Sequence, residues 1–596
     1  MTGGLYRSSN AGHRDGPYDD TQAPPLIEAD EARLTVPDAD VMAGGGDVPG
    51  AEAPSPEPQA SSGNSTAGNS LIMAAGSLVS RGTGFLRTVV LTAALGTAIG
   101  DAYANAQLFP GMVYDFLLGG ILSSVLLPLL VRRRKADADG GQAFTQTLLS
   151  LAVIVLAVAT VITVIAAPLL TMVLNTGDNV SPEYRDLITG LSRLMLPMLF
   201  FTGMSALISA VLNTRGHFAA PMWTPILNNI IVIGVGGAYL LLYGATKLAP
   251  EQMTPGRIAL IGGGTLLGVA VQAAGLIPAL RNVGFRWKWR FNFRDLGLGE
   301  LGRLGAWMFC YVVVNQIGLA VAFNLLNSAA GAESTGPLMY QNVYLLLMMA
   351  HGIIAVSIIT ALMPRMSASA ADGRLADIAA DLSRGMRTAT AALAPVAVVY
   401  GVLAGPIVVA LFRYGAVDSD EAFATSFVLI GASIALIPFS ISQLFTFANY
   451  AMSENKTAAL VNLPSVAVRI ALYVACFLIL DAKWLAAGLM VSNAASYLVS
   501  AVISATILRR RIGAIGMREV AGTLLKVLAA SAGAIIVGIL VMKLLPGDGA
   551  LSRMEALLSL FVGGAVIGGT YVGLALLLRI HEVTQVLNMV IRKVRR

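Results

Sequence analysis

Residues 71–95 read LIMAAGSLVSRGTGFLRTVVLTAAL, an apolar run interrupted by Arg81 and Arg87. A run of this length crosses the hydrocarbon of a bilayer as an α-helix. Its two arginines decide more than its length does. A guanidinium stays protonated in proteins, and an Arg at a helix centre costs roughly 2.5–3.5 kcal/mol even on the mildest insertion scale. Two in one span imply a watered cavity and an anionic visitor. Arg81 lies about 16 Å along the helix, near the midplane, and Arg87 about 9 Å further and about 120° round the axis. The pair therefore cannot share one narrow seam, but both can face a broad cavity.

The rest of the chain agrees with a membrane setting. Of 596 residues, 56% are hydrophobic and 12% charged, against about a quarter charged in soluble domains. Apolar segments of helical spanning length exclude a β-barrel. Fourteen helices are expected, at roughly 71–95, 104–131, 144–174, 186–212, 222–243, 258–280, 304–328, 337–363, 387–412, 423–451, 458–480, 484–508, 520–545 and 554–578. Residues 1–69 are rich in Gly, Pro, Ala, Ser and Asp and read as a disordered tail. No basic stretch followed by an apolar core stands at Met1, so no cleaved signal peptide is expected. Cys310 and Cys476 both fall in apolar spans, and neither a disulfide nor a zinc site is expected.

Basic residues mark one set of loops: Arg132 to Lys135, Arg215, the stretch from Arg281 to Arg294, Arg365, Arg374, Arg384, Lys456, Arg509 to Arg511, and the C-terminal tail. The alternate loops hold little beyond Arg185, Lys247, Arg257, Arg413, Lys483 and Arg553. The positive-inside rule then places both termini in the cytoplasm. The net charge of +6 is thus topology, and nucleic-acid binding is not expected.

Prolines recur in matched order. Pro128, Pro197 and Pro225 in one part are echoed by Pro364, Pro438 and Pro464 in the other. The expected organisation is a six-helix half over 70–280, a basic linker over 281–303, a second half over 304–508, and two further helices with a basic tail over 509–596. The expected class is an all-α polytopic membrane protein whose two parallel halves enclose a central site, as in transporters that rock about one.

Few polar groups interrupt the spans. Arg81 is the leading candidate for substrate binding, and Arg87 either joins it or snorkels outward. Asp115 in the second span pairs with an arginine or acts itself. Asp101 stands at the outer end of the first hairpin, Arg193 in the outer third of the fourth span, and Arg469 near the middle of the eleventh. Asn228, Asn229, Asn315, Gln316 and Asn324 suit interhelical hydrogen bonds, and His351 a packed core position. Catalysis is not expected: there is no phosphate loop, metal cluster or nucleophile–base set. A membrane glycosyltransferase would want acids in sizeable outer loops, where only Asp101 and the stretch Asp418-Ser419-Asp420-Glu421 qualify.

The residues Ser80-Arg81-x-x-Gly84-Phe85-x-Arg87, with Gly96 and Asp101-Ala102, resemble the opening of the MurJ/MviN family. Leu212-Asn213-Thr214, Pro221, Thr224-Pro225-x-x-Asn228-Asn229 and the run from Gly352 to Pro364 are similar to later family segments. The family lies in the multidrug/oligosaccharidyl-lipid/polysaccharide exporter superfamily. The resemblance implies fourteen helices and flipping of lipid II, an undecaprenyl-diphosphate-linked peptidoglycan precursor, from inner to outer leaflet. It carries Arg81 and Arg87 as cavity cations and Asp101 as a family acid. The chain departs where the family often has arginines and a Glu in the second helix and an Arg in the eighth; Tyr114, Asp115, Gly119 and Leu345 stand there. Arg469 is expected to compensate in part.

The implied substrate is an anionic lipid-linked glycan, moved without a bound cofactor. The membrane potential or a monovalent cation would supply the drive, and cell-wall synthesis proteins would meet the cytoplasmic tails. The rivals are a flippase for another polyprenyl-linked glycan and a cation-coupled drug exporter.

Overall fold

The structure is a computed structural model that describes residues 65–114, 127–177, 180–245, 247–296, 298–329, 336–545 and 551–585. Among them there is no strand, and thirteen helices are long and apolar enough to cross a membrane. The disordered tail expected over 1–69 lies outside the described residues up to residue 64, and helix α1 (Ser65–Tyr114) begins within its last part.

Helix α1 is bent. Gly96 has φ 66° and ψ −163°, a left-handed conformation that residues with a Cβ avoid. The bend produces two arms, 65–95 and 97–114. The first matches the expected first span. The second begins the expected second span earlier than 104, and 115–126 lie outside the described residues. The bent helix counts once, so thirteen spans stand where fourteen were expected.

Three other expected spans are broken; the ninth breaks at Leu403, between helices Leu375–Val402 and Ala404–Phe412. The third divides at Ala166 into α3 (Gln142–Ile165) and α4 (Ala167–Leu174), with Pro168 in the first turn of α4. The fourth divides at Pro197 into α5 (Pro182–Met195) and α6 (Met198–Thr214). A proline lacks the N–H for the i→i−4 bond and its ring clashes with the preceding turn.

The chain continues through α7 (Ala219–Tyr243), the short α8 (Pro255–Ile258), α9 (Gly264–Asn282), α10 (Leu298–Ser328) and α11 (Pro337–Ala371). Then come α12 (Leu375–Val402), α13 (Ala404–Phe412), α14 (Ser419–Ala451), α15 (Asn455–Ile479), α16 (Ala482–Ile512), α17 (Met517–Leu544) and α18 (Arg553–Leu577). Helix α12 starts well before the expected 387. Its added turns bury Asp381, which meets Arg365 of α11 at 2.9 Å.

Helix α1 packs along α7 on one side and α11 on the other, while α14 packs along α16, α12 and α11. Small residues set the approach, as expected where lipid removes any hydrophobic drive between helices. A Cβ on Gly431 of α14 would fall 2.9 Å from the Met490 Cβ of α16. The last two helices lie on α12 and α13, where the Tyr571 hydroxyl donates to the Ala391 carbonyl at 2.8 Å. Leu241, Ile479, Leu544 and Phe561 stand exposed on the outside of the bundle, an apolar surface suited to lipid.

A candidate substrate cavity and a polar seam

The two arginines of the opening run turn to different neighbours. Arg87 is buried and donates to the Asn229 amide oxygen of α7 at 3.5 Å. Asn229 donates in turn to the Ser80 carbonyl at 3.2 Å and the Thr83 hydroxyl at 3.1 Å. Gly84 leaves room for it: a Cβ there would stand 3.5 Å from Asn229. Arg81 is half-buried and faces α11, where a Cβ on Gly352 would fall 2.7 Å from its Nη1. The angle between the two side chains is thus used to reach two helices, α7 and α11. His351, beside Gly352, is a core residue, bonded through Nδ1 to the Ser440 hydroxyl at 2.9 Å and packed on Phe439.

The cavity itself lies elsewhere. A cavity of about 90 Å³ lies between α10, α11, α14, α15, α16 and the second arm of α1, and Arg469 of α15 lines it. Neither Arg81 nor Arg87 belongs to its lining. Arg469 donates through Nη2 to the Asn315 amide oxygen of α10 at 3.3 Å. Gly318, one turn along α10, makes room for the guanidinium: a Cβ there would be 2.5 Å from Nη2.

Tyrosines ring the arginine: Tyr311, Tyr340, Tyr344, Tyr473 and Tyr497, on four helices. Tyr473 donates to Asn493 at 2.5 Å, and Asn493 to the Tyr340 hydroxyl at 2.9 Å. Among the described residues no carboxylate lines the cavity and none forms an ion pair with Arg469. A guanidinium set among phenols and amides suits an oxyanion that arrives with a ligand. The sequence pointed to Arg469 and Asn315; it did not point to the tyrosines, of which Tyr344 and Tyr497 stand away from the span ends where tyrosines usually gather.

Asp101 has a different task. Its Oδ1 accepts from the Leu338 N–H at 2.7 Å, capping the N-terminus of α11, and Gly336 leaves space for the carboxylate. Around it a polar seam joins elements distant in sequence. Asn105 and Asn327 exchange amide hydrogen bonds at 3.0 and 2.8 Å. The Ala416 N–H donates to the Ala93 carbonyl at 3.0 Å, and the Thr97 hydroxyl to Glu421 at 2.6 Å.

Lys247, from the loop after α7, bridges Asp418 and Glu421 at the start of α14, the latter at 3.1 Å. Partial burial disfavours the Lys247 charge, but its bonds to Asp418 and Glu421 outweigh that and raise its pKa. Burial likewise pushes Asp418 up, and the Glu421 N–H and Lys247 outweigh it and hold the carboxyl below its usual range. An open vestibule adjoins the seam, lined by Asp101, Lys247, Glu421 and Trp484.

Of the other sequence candidates, Arg193 is exposed on α5, away from the cavity lining. Asp115 lies outside the described residues.

Comparison with known proteins follows this geometry. A sequence model of the family described as "Lipid II flippase MurJ" matches residues 91–555. A probable lipid II flippase MurJ of Bdellovibrio bacteriovorus is 24% identical over 87% of this chain and 96% of its own length. One from Rhizobium tropici is 24% identical over 73% of this chain and 79% of its own. Among solved structures, lipid II flippase MurJ in an inward closed conformation superposes with TM-score 0.67 at 18% identity, covering 85% of this chain and 99% of that one. An inward-facing multidrug resistance MATE transporter gives TM-score 0.58 at 14% identity, over 75% and 99% of the two chains.

Proposed function

The chain belongs to the lipid II flippase MurJ family, and on that premise we propose that it flips the lipid-linked peptidoglycan precursor from the inner to the outer leaflet of the bacterial inner membrane. The observation that carries the reading beyond family membership is the cavity cation Arg469, held among tyrosines and amides with no carboxylate beside it among the described residues. A sugar diphosphate crossing hydrocarbon unaided would strand its charges and hydroxyls without partners. In this cavity Arg469 offers a planar fork to a phosphate, and the tyrosines and asparagines offer hydrogen bonds to sugar and peptide groups. The polyprenyl tail stays in lipid outside the bundle.

Both termini are cytoplasmic in this reading, so the seam around Asp101, Lys247 and Glu421 closes the outer end. The protein moves its cargo by alternating access and carries out no covalent chemistry. An inside-negative potential favours outward movement of two negative charges by about 4–5 kcal/mol per 100 mV, with a monovalent cation as the other candidate source of drive. The substrate is the partner this cavity serves; contacts of the tails with cell-wall synthesis proteins belong to the same proposal.

Depletion of the protein followed by a leaflet-accessibility assay for lipid II tests the reading. Loss of outer-leaflet lipid II on depletion, restored by the wild-type chain and not by Arg469→Ala, is the expected result. Unchanged accessibility in a strain with no second flippase would refute it.

A further inference from the structure

The linker after α9 carries an alternating pattern over 285–293, FRWKWRFNF. Aromatics occupy every odd position, and Arg286, Lys288, Arg290 and Asn292 the even ones. No acidic residue occurs from Arg281 to Arg294. The structure turns this pattern into a surface. Trp287 and Trp289 lie with ring centroids 5.5 Å apart, Trp289 and Phe291 stack at 6.1 Å, and Phe291 meets Phe293 at 6.2 Å. This is close to the rise of about 6.6–6.8 Å that two residues of an extended backbone give.

The row is exposed where a soluble protein would hide it: Trp289 is 57% and Phe291 64% accessible, and Arg286 and Lys288 are exposed with them. Its ends are fixed. Phe285 is buried under the Arg215 guanidinium, and Phe293 packs into the core around α3 and α6.

The segment is also pinned at a definite depth. Gln146 of α3 donates to the Arg286 carbonyl at 2.7 Å and accepts from the Arg290 Nε at 2.8 Å. The Arg290 N–H donates to the Ser150 hydroxyl at 3.2 Å. Gln146 and Ser150 lie four and eight residues into α3, about 6 and 12 Å along its axis. That is the headgroup-to-acyl boundary of a spanning helix, where Trp rings are favoured and basic side chains reach phosphates.

We propose that residues 285–293 form an interfacial anchor that binds the headgroups of anionic phospholipids, with the aromatic row in the boundary region and Arg286 and Lys288 on the lipid phosphates. Lipid is the occupant because the segment lies along a membrane-spanning helix at interfacial depth, and its charge is of one sign. The anchor fixes the linker between the two expected halves at one membrane depth. It concerns membrane lipids and not the flipped substrate, so it stands whether or not the cargo is lipid II.

The test uses the full chain with Trp223, Trp307 and Trp484 replaced by Phe. Of the chain's 5 tryptophans, Trp287 and Trp289 then remain as reporters. The protein is reconstituted in phosphatidylcholine vesicles with or without phosphatidylglycerol, with acyl-chain bromines placed on one lipid or the other. Bromolipid is expected to quench the emission, with brominated phosphatidylglycerol quenching in excess of its mole fraction. Each basic residue near an anionic surface contributes about a five-fold preference. Arg286→Gln with Lys288→Gln is therefore expected to reduce that preference by up to about 25-fold, with the melting temperature unchanged.

Equal quenching by both brominated lipids would overturn headgroup binding. Quenching by aqueous iodide and by neither bromolipid would overturn the anchor altogether and leave the surface to a soluble protein partner.

Discussion

Removing Lys247 tests whether the polar seam holds one end of the bundle shut. Lys247→Ala deletes two ion pairs at once, to Asp418 and to Glu421. The Asp418 carboxylate is 47% exposed, so its pair sits at the low end of about 0.2–1 kcal/mol for surface bridges. Glu421 is 17% exposed and already bonded by Thr97, which places that pair near the top of the range. Together they come to about 1 kcal/mol, a shift of about five-fold in favour of the open arrangement.

The measurement is a distribution of distances between spin labels at Glu251→Cys and Phe423→Cys, with Cys310 and Cys476 replaced by Ser. A longer-distance population is expected to grow about five-fold, and added salt to produce part of the same change in the wild type by screening. A distribution unmoved by both the substitution and salt would refute the seam as a closing element. The pH dependence adds a check. Asp418 is depressed, so its contribution is complete above the ordinary carboxylate range and is lost as pH falls through its lowered value. Lys247 is raised, so its contribution is complete below the ordinary lysine value and is lost as pH rises through the higher one. Between roughly pH 5 and 10 the contribution of the Lys247–Asp418 pair should therefore stay constant.

Arg469→Ala is expected to abolish complementation at normal expression, and Arg469→Lys to restore it poorly, because an ammonium lacks the fork; full activity of the alanine variant would remove Arg469 from substrate binding. Asn229→Ala removes its bonds to Arg87, the Ser80 carbonyl and the Thr83 hydroxyl and should cost about 1–3 kcal/mol, seen as a lower melting temperature in detergent. Asp101→Asn keeps an oxygen for the Leu338 N–H, whereas Asp101→Ala removes the cap and should cost about 1 kcal/mol; equal melting of the two would contradict the capping role. Gly96→Ala forces a Cβ into the left-handed region and to 2.9 Å from the Ala416 Cβ, so a loss of at least about 1–2 kcal/mol is expected from thermal unfolding.

The spans were legible because apolar length is a direct consequence of bilayer thickness. The arginines on α1 were legible as a problem, since their charge and their angular separation follow from residue type and helix geometry. Which helix each one meets was not, because Asn229 and Gly352 lie far along the chain and only packing brings them near. The tyrosine ring escaped for the same reason: its members come from four helices, and no local spacing joins them. Pro197 and Pro168 were present to be read as breaks. Apolar continuity across each concealed them, because hydropathy registers composition and is blind to a missing N–H. Asp101 read as an outer-end acid, and its use as a cap for α11 depends on the approach of Leu338.

The bend at Gly96 gives α1 two unlike duties. Its first arm carries Arg81 and Arg87 to α11 and α7, while its second supplies Leu108, Gly111 and Met112 to the cavity wall. The seam holds the joint through Ala93 and Thr97. A part of this shape would act as a crank, in which a displacement of the cavity wall turns about one glycine and reaches the arginines as a change of angle.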